Sequence, residues 1–275
     1  MSLAETWKML SADSGPELVL ALDFDVTGRP QAGFGELTAK LRIEHSVWLS
    51  LPPDANTGKD LDETAYLDRW LAAPRSSGKP VRAVLGYCVG AVYAAAIAER
   101  VAQWQRTPPL LVLLDPEPAV GFTLYSQFRN VLSLLTALVP PEQMDAVQEA
   151  GRRAYEATDD MDTLAKTLIT IFEDLSGEAL ARAGLDEISR RELTGTFFAF
   201  MTYLRTAARF DPFPGWRSAT ALSSSSPASG LNAVRSYRNG AADPLVAKEI
   251  PFAADHIGLL RAAEVAATVT DLLNA

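Results

Sequence analysis

Val81-Arg82-Ala83-Val84-Leu85-Gly86-Tyr87-Cys88-Val89-Gly90-Ala91 is the stretch on which the fold turns. The apolar run from Pro80 to Tyr87 predicts a buried strand, and the Ala-rich run from Val89 to Trp104 predicts a helix. Between them stands Gly-x-Cys-x-Gly. A side chain at so sharp a strand-to-helix turn is presented on strained backbone. The spacing then has a steric reason. Glycines at 86 and 90 let the helix fold back against the strand, and Ala94, Ala95, Ala96 and Ala98 allow close helix–sheet packing. Cys88 would stand at a helix N-terminus, where the dipole and free N–H groups lower a thiol pKa from its usual ~8.5. The Val89 N–H would point toward a developing oxyanion. The plainer alternative is a structural cysteine in a glycine-rich turn.

Working outward, strands are predicted at Glu17–Phe24, Ile43–Leu51 and Leu110–Leu114, with helices at Phe34–Leu41 and Asp60–Ala73. Leu61, Ala65, Leu67 and Leu71 give the second helix its apolar face, and Asp60 and Asp62 suit its first turn. Strand alternating with helix, the strands apolar without a two-residue rhythm, predicts a parallel sheet covered on both faces. From Thr123 to Phe210 only helical periodicity is found: Ser126–Val139, Glu142–Ala157, Asp162–Leu175 and Asp186–Arg209. Strands resume at Ala219–Ser223 and Ala247–Phe252, and a helix at Arg261–Leu273 closes the chain. Ser223–Ser226 reads as a strand end and its loop. The helical block is therefore an insertion into a sheet domain, a lid or cap without a linker of its own.

Composition narrows the function. The 275 residues are 48% hydrophobic and 21% charged, enough for a sizeable core and too apolar for disorder. A net charge of −9 argues against nucleic acid or an anionic membrane as partner, since both need clustered Lys and Arg. One cysteine excludes an internal disulfide and a Cys-rich zinc site. Met1–Leu10 lacks the pattern of a signal peptide, and no apolar run approaches the ~20 residues that span a bilayer, so a soluble cytoplasmic protein is expected. No metal or bound cofactor is expected.

A nucleophilic thiol needs a base, and the base an orienting acid. There are two histidines, His45 and His256. His256 follows the last predicted strand and falls in a loop at its C-terminal end. His45 opens a strand, ahead of Cys88, and reads as structural. Asp115 ends the strand after the elbow and should emerge beside Cys88; otherwise it caps a turn before Pro116. Asp243 and Asp255 are alternative acids.

Three motifs, Gly86–Gly90, Leu113-Leu114-Asp115-Pro116-Glu117-Pro118 and Ala254-Asp255-His256-Ile257-Gly258-Leu259-Leu260, together resemble the thioesterase family of α/β-hydrolases. That family off-loads acyl chains from phosphopantetheine carrier proteins in polyketide and nonribosomal peptide assembly. The resemblance implies one α/β-hydrolase domain over residues 1–275, with a mostly parallel sheet, helices on both faces and a helical lid at about 119–215. It favours Asp115 as the acid, giving Cys88, His256 and Asp115 as the catalytic set. It implies an oxyanion hole from the Val89 N–H and one N–H among Asp25, Val26 and Thr27, with Val26 the choice. The first loop, Phe24-Asp25-Val26-Thr27-Gly28, departs from the His/Pro/Gly-rich form of many relatives, and cysteine stands where serine is usual. An acyl-cysteine is itself a thioester, so transfer from pantetheine is close to isoenergetic and acyl-transfer potential is kept. Stand-alone family members with cysteine shuttle acyl or aminoacyl groups, and the expected reaction is transfer through S-acyl-Cys88 ahead of hydrolysis. The expected partners are an acyl or peptidyl carrier protein and a small-molecule acceptor.

Two rivals remain. Val19-Leu20-Ala21-Leu22-Asp23-Phe24-Asp25-Val26-Thr27 resembles the first motif of the magnesium-dependent haloacid-dehalogenase phosphatases, with Asp23 and Asp25 as the working pair. Ser223 and Lys248 could fill later roles, but no Gly-Asp or Asp-Asp pair follows Lys248 at a strand end, and Asp159-Asp160 falls in the helical block. The other rival is a catalytically silent hydrolase fold that serves as an interaction module.

Overall fold

The computed structural model describes residues 5–11, 15–25, 31–58, 61–182, 184–237 and 244–275, with 55–56 and 176–179 as backbone alone. In chain order the elements are β1 (Trp7–Met9), β2 (Leu18–Leu22), α1 (Phe34–Thr38), β3 (Ser46–Ser50), α2 (Ala55–Gly58), α3 (Glu63–Ser77), β4 (Val81–Tyr87), α4 (Gly90–Ala102) and β5 (Leu110–Leu114). They continue with α5 (Gly121–Leu134), α6 (Pro141–Ala157), α7 (Met161–Arg182), α8 (Glu187–Ala207), α9 (Phe213–Trp216), β6 (Thr220–Ser223), α10 (Gly230–Tyr237), β7 (Lys248–Pro251) and α11 (Ala263–Asn274). The chain divides into two compact units, one of Met1–Leu51, Glu63–Pro118 and Phe210–Ala275, the other of Pro52–Asp62 and Ala119–Arg209.

The first unit holds a sheet of order β1-β3-β2-β4-β5-β6-β7, parallel throughout except for β1 on β3. All five residues of β2 and of β3 are buried, as continuous apolar runs covered on both faces require. On one face Val19, Ala21, Val47, Leu85, Val112 and Leu114 pack with Phe34 and Leu37 of α1 and Val265, Val269 and Leu273 of α11. Helix α4 packs on β2 and β4, and Tyr93 on it joins Tyr66 and Trp70 of α3, with ring centroids 5.1–5.6 Å apart. Each such fully buried side chain contributes about 1.5–3 kcal/mol.

The register carries the functional consequence. Tyr87 pairs with Leu114, and Leu114 with Leu222, so Cys88, Asp115 and Ser223 lie level at the C-terminal end of the strands. Ser223 pairs with Pro251, which brings the loop after β7 to that same end.

The expected strands all form, within a few residues of their predicted ends. Strand β1 was not expected, being too short to show a period. Trp7 fastens it: its indole N–H donates to the Trp70 carbonyl at 2.9 Å. That carbonyl is available because Pro74, four residues on, has no N–H to offer. Helix α3 thus runs through Pro74 to Ser77 and does not stop at Ala73.

The second unit is helical. Helix α5 begins at Gly121, ahead of the expected Ser126, because the Thr123 hydroxyl accepts the otherwise orphaned Val120 N–H at 3.3 Å. Phe197 of α8 stacks on Phe172 of α7 with ring centroids 4.1 Å apart and lies 6.1 Å from Phe128 of α5. Gly151 lets α6 close on α5, since a Cβ there would lie 2.4 Å from the Phe128 ring. The apolar stretch Phe197–Leu204 is therefore chiefly core: Phe197, Met201, Tyr203 and Leu204 are buried, while Phe198 and Phe200 are half-buried. Among the described residues no helix is long and apolar enough to cross a membrane.

Candidate active site

The turn after β4 has the strain its sequence implies. Cys88 lies at φ +52, in the left-handed region that side chains other than glycine rarely adopt. The conformation is held on both sides: the Cys88 N–H donates to the Leu114 carbonyl at 3.0 Å, and its own carbonyl accepts from Ala91 and Glu117 at 3.1 and 3.2 Å. A Cβ on Gly86 would stand 2.5 Å from the Ala91 Cα and 2.7 Å from the Ala94 Cβ, so this glycine does admit the helix. Gly90 serves a different contact from the one expected. A Cβ there would lie 2.1 Å from the Leu22 carbonyl oxygen, so it admits the neighbouring strand β2.

Asp115, at φ +45, is fully buried at the end of β5. One carboxylate oxygen accepts the Ser224 N–H at 2.7 Å, and the other lies 2.9 Å from His256 Nδ1. With Nδ1 turned to the carboxylate, Nε2 is the nitrogen left for other work. A His256 ring nitrogen, the Cys88 sulfur and a Glu117 carboxylate oxygen all lie within 4.8 Å of one another. The histidine is fixed on three further sides. Its ring stacks on Tyr87 at 4.9 Å, its carbonyl accepts the Tyr87 hydroxyl at 2.7 Å, and its N–H donates to the Ser226 hydroxyl at 2.9 Å.

The other candidates stand elsewhere. Asp255 is exposed and caps the Gly258 N–H at 2.7 Å. His45 sits 3.5 Å from Glu17 at the opposite ends of the strands, in a crevice of about 770 Å³ lined also by Arg42, Arg82 and Ala275. Asp243 and Val26, with Thr27, lie outside the described residues. The Val89 N–H faces the Cys88 sulfur.

One expectation is reversed. Cys88 retains some exposure, yet burial pushes its thiol well above the ordinary cysteine value, and the Glu117 carboxylate adds to the rise. The Val89 N–H offsets only part of this, and Asp23 and Asp115 act in the same direction as Glu117. Desolvation and acidic neighbours outweigh the helix N-terminus.

Four residues of the site escaped the sequence reading. Ser224 and Ser226 come from the loop after β6, which Asn232 ties down by donating to both their carbonyls at 3.2 and 3.1 Å. Gly230 opens α10 at φ +57; its N–H donates to Glu117 at 2.8 Å, and a Cβ on it would lie 2.6 Å from Asp115 Oδ1. Glu117 is itself half-buried, and desolvation is the main cause that raises its carboxyl pKa, with the neighbouring Asp115 adding to the rise. Each is an ordinary loop residue in sequence, and only Glu117, inside the Asp115 motif, had a signal close to it.

No protein-family model matches the sequence, and no curated protein matches it. Solved structures do. The enol-lactonase from Burkholderia xenovorans LB400 aligns at TM-score 0.52 and 14% identity, over 98% of this chain and 96% of its own. The chain has the α/β-hydrolase fold. With that fold in view, the NocB thioesterase domain, solved in covalent complex with a fluorophosphonate nocardicin G analogue, aligns at TM-score 0.50 and 17% identity over 96% of both chains. Holo-AB3403, a four-domain nonribosomal peptide synthetase bound to AMP and glycine, aligns at TM-score 0.56 and 15% identity, over 98% of this chain and 20% of that one. In this α/β-hydrolase fold the Cys88 turn occupies the C-terminal end of the central strand β4.

Proposed function

We propose that the protein is a thioesterase-family enzyme that takes an acyl or aminoacyl group from a phosphopantetheine carrier thioester onto Cys88 and passes it to an acceptor in natural-product biosynthesis. The observation that carries this reading is a thiol on strained backbone with a ring nitrogen of His256 within 4.8 Å, and the Nδ1 of that histidine against a buried carboxylate at 2.9 Å. The fold shared with NocB and AB3403 supports it.

In this reading the Cys88 sulfur attacks the thioester carbonyl as its proton passes to His256 Nε2. Collapse of the tetrahedral adduct breaks the bond to the pantetheine sulfur, which takes that proton from His256. The acyl group is then a thioester on Cys88, and the carrier thiol is restored. The acceptor repeats the sequence in reverse. Asp115 holds the imidazole tautomer that can accept a proton. The N–H groups of Val89 and Val26 stabilise the oxyanion. Residues from about 119 to 215 would serve as the lid insertion of the domain. The protein acts in the cytoplasm, and its partners are an acyl or peptidyl carrier protein and a thiol, amine or hydroxyl acceptor; no metal or bound cofactor takes part.

The test is incubation with an acylated carrier protein, followed by intact-protein mass spectrometry. The expected result is an adduct on the wild type and on His45→Ala, and none on Cys88→Ala or His256→Ala. Turnover by Cys88→Ala would overturn the reading. Release of free acid without transfer would assign the hydrolytic alternative.

A further inference from the structure

Glu117 is a charged side chain beside the nucleophile that the scheme above leaves unused. Its backbone N–H donates to the Cys88 carbonyl at 3.2 Å, and its carboxylate accepts the Gly230 N–H at 2.8 Å. The loop is thus fastened to the elbow at one end and to α10 at the other. A carboxylate oxygen of Glu117 lies within 4.8 Å of the Cys88 sulfur, at a place where a thiol can donate and a carboxylate can accept. Asp115 cannot take this part, since its two oxygens are engaged by Ser224 and His256.

We propose that Glu117 is a positioning residue that anchors the proton on the Cys88 sulfur, so that the resting enzyme presents a thiol and not a thiolate. The inference takes Cys88 as the nucleophile of the reading above and adds its resting state. A neutral sulfur resists oxidation and adventitious alkylation. It gives up its proton to His256 only as a bound carbonyl receives the electron pair. Among the described residues, the groups around the sulfur are Glu117 and Asp115 after β5, Asp23 after β2, His256 after β7 and the Val89 N–H of the elbow. The three carboxylates hold the proton on; only the Val89 N–H and a charged His256 would release it.

The experiment is the rate of iodoacetamide alkylation from pH 6 to 10, followed by mass, with no carrier protein present. Cys88 is the only cysteine, so the signal is unambiguous. The wild type is expected to show a midpoint above the ~8.5 of a free thiol. In Glu117→Gln, which keeps an acceptor for the Gly230 N–H, the midpoint should fall and the rate at pH 7.5 should rise by about tenfold or more. Glu117→Asp, which draws the carboxylate back by one methylene, should fall between the two, and it decides the matter if Glu117→Gln does not fold. A wild-type midpoint at the free-thiol value, or the same midpoint in the wild type and both variants, overturns the inference. An absent acyl adduct alongside a shifted midpoint would sink the acyl-transfer reading alone.

Discussion

Gly230 allows the site's architecture to be tested without any substrate. It lies at φ +57, and a Cβ there would stand 2.6 Å from the buried Asp115 Oδ1 and 3.0 Å from the Asp115 Cα. Gly230→Ala therefore carries two penalties. Left-handed backbone costs a residue with a side chain about 1–2 kcal/mol. Forcing a methyl into a packed site costs about 1–3 kcal/mol more. Gly78 separates the two. It belongs to the same unit at φ +70, and nothing lies within 4 Å of where its Cβ would be. Gly78→Ala should thus lose about 1–2 kcal/mol and Gly230→Ala about 2–5 kcal/mol. At about 2–4 °C per kcal/mol, the collision alone should separate the two melting midpoints by roughly 2–12 °C. The assay is thermal and urea unfolding of both variants beside the wild type. Acyl-adduct formation should fall with Gly230→Ala and survive Gly78→Ala, because the displaced Asp115 loosens its hold on His256. Equal destabilisation by the two substitutions would refute the claim that Gly230 is small for the sake of Asp115.

Asp115→Asn should slow acyl-adduct formation by about 10²–10⁴ while leaving the melting midpoint near that of the wild type. The amide keeps the acceptor for Ser224, but turns a donor toward Nδ1 and leaves the proton on Nε2, as in other Asp–His pairs; a rate unchanged in single-turnover measurement would refute this. Glu117→Gln should raise stability increasingly as pH climbs above about 4.5. The folded carboxyl binds its proton more tightly than the unfolded one, so the wild type loses stability from the ordinary carboxylate value up to its raised one, and glutamine removes that loss. Melting midpoints of both proteins from pH 4 to 8 check the sign, and a constant difference between them would count against it. By the same linkage, stability should decline above about pH 8.5, where the unfolded Cys88 thiol ionises and the folded one does not, and Cys88→Ala should remove that decline.

Much of the framework was legible because it rests on short-range patterns. The unbroken apolar runs at 18–22 and 110–114 could be satisfied only by strands buried on both faces, and Gly86-x-Cys88-x-Gly90 allowed one local geometry. Asp115 and His256 could be placed at strand ends by counting strands. The supporting residues were not legible, because each acts across a long separation. Ser226 reaches a histidine thirty residues on, and Gly230 holds a glutamate 113 residues back. Serine and glycine are ordinary loop residues, and nothing in their neighbours distinguishes a strut from a turn. Strand β1 was missed for a related reason: three residues carry no period, and its anchor is a carbonyl freed by a proline 67 positions away.

The amino-acid order alone determined the six parallel strands of the sheet, its crossover helices, the helical block and the bend that carries Cys88, since hydrophobic period and glycine spacing are local properties. It pointed the thiol's acidity the wrong way. A helix N-terminus is visible in sequence and lowers a pKa, whereas desolvation and the convergence of Glu117, Asp23 and Asp115 on one sulfur exist only once distant strands pair. Electrostatic energy depends on distances through space and on the water excluded from them, and tertiary packing alone sets both.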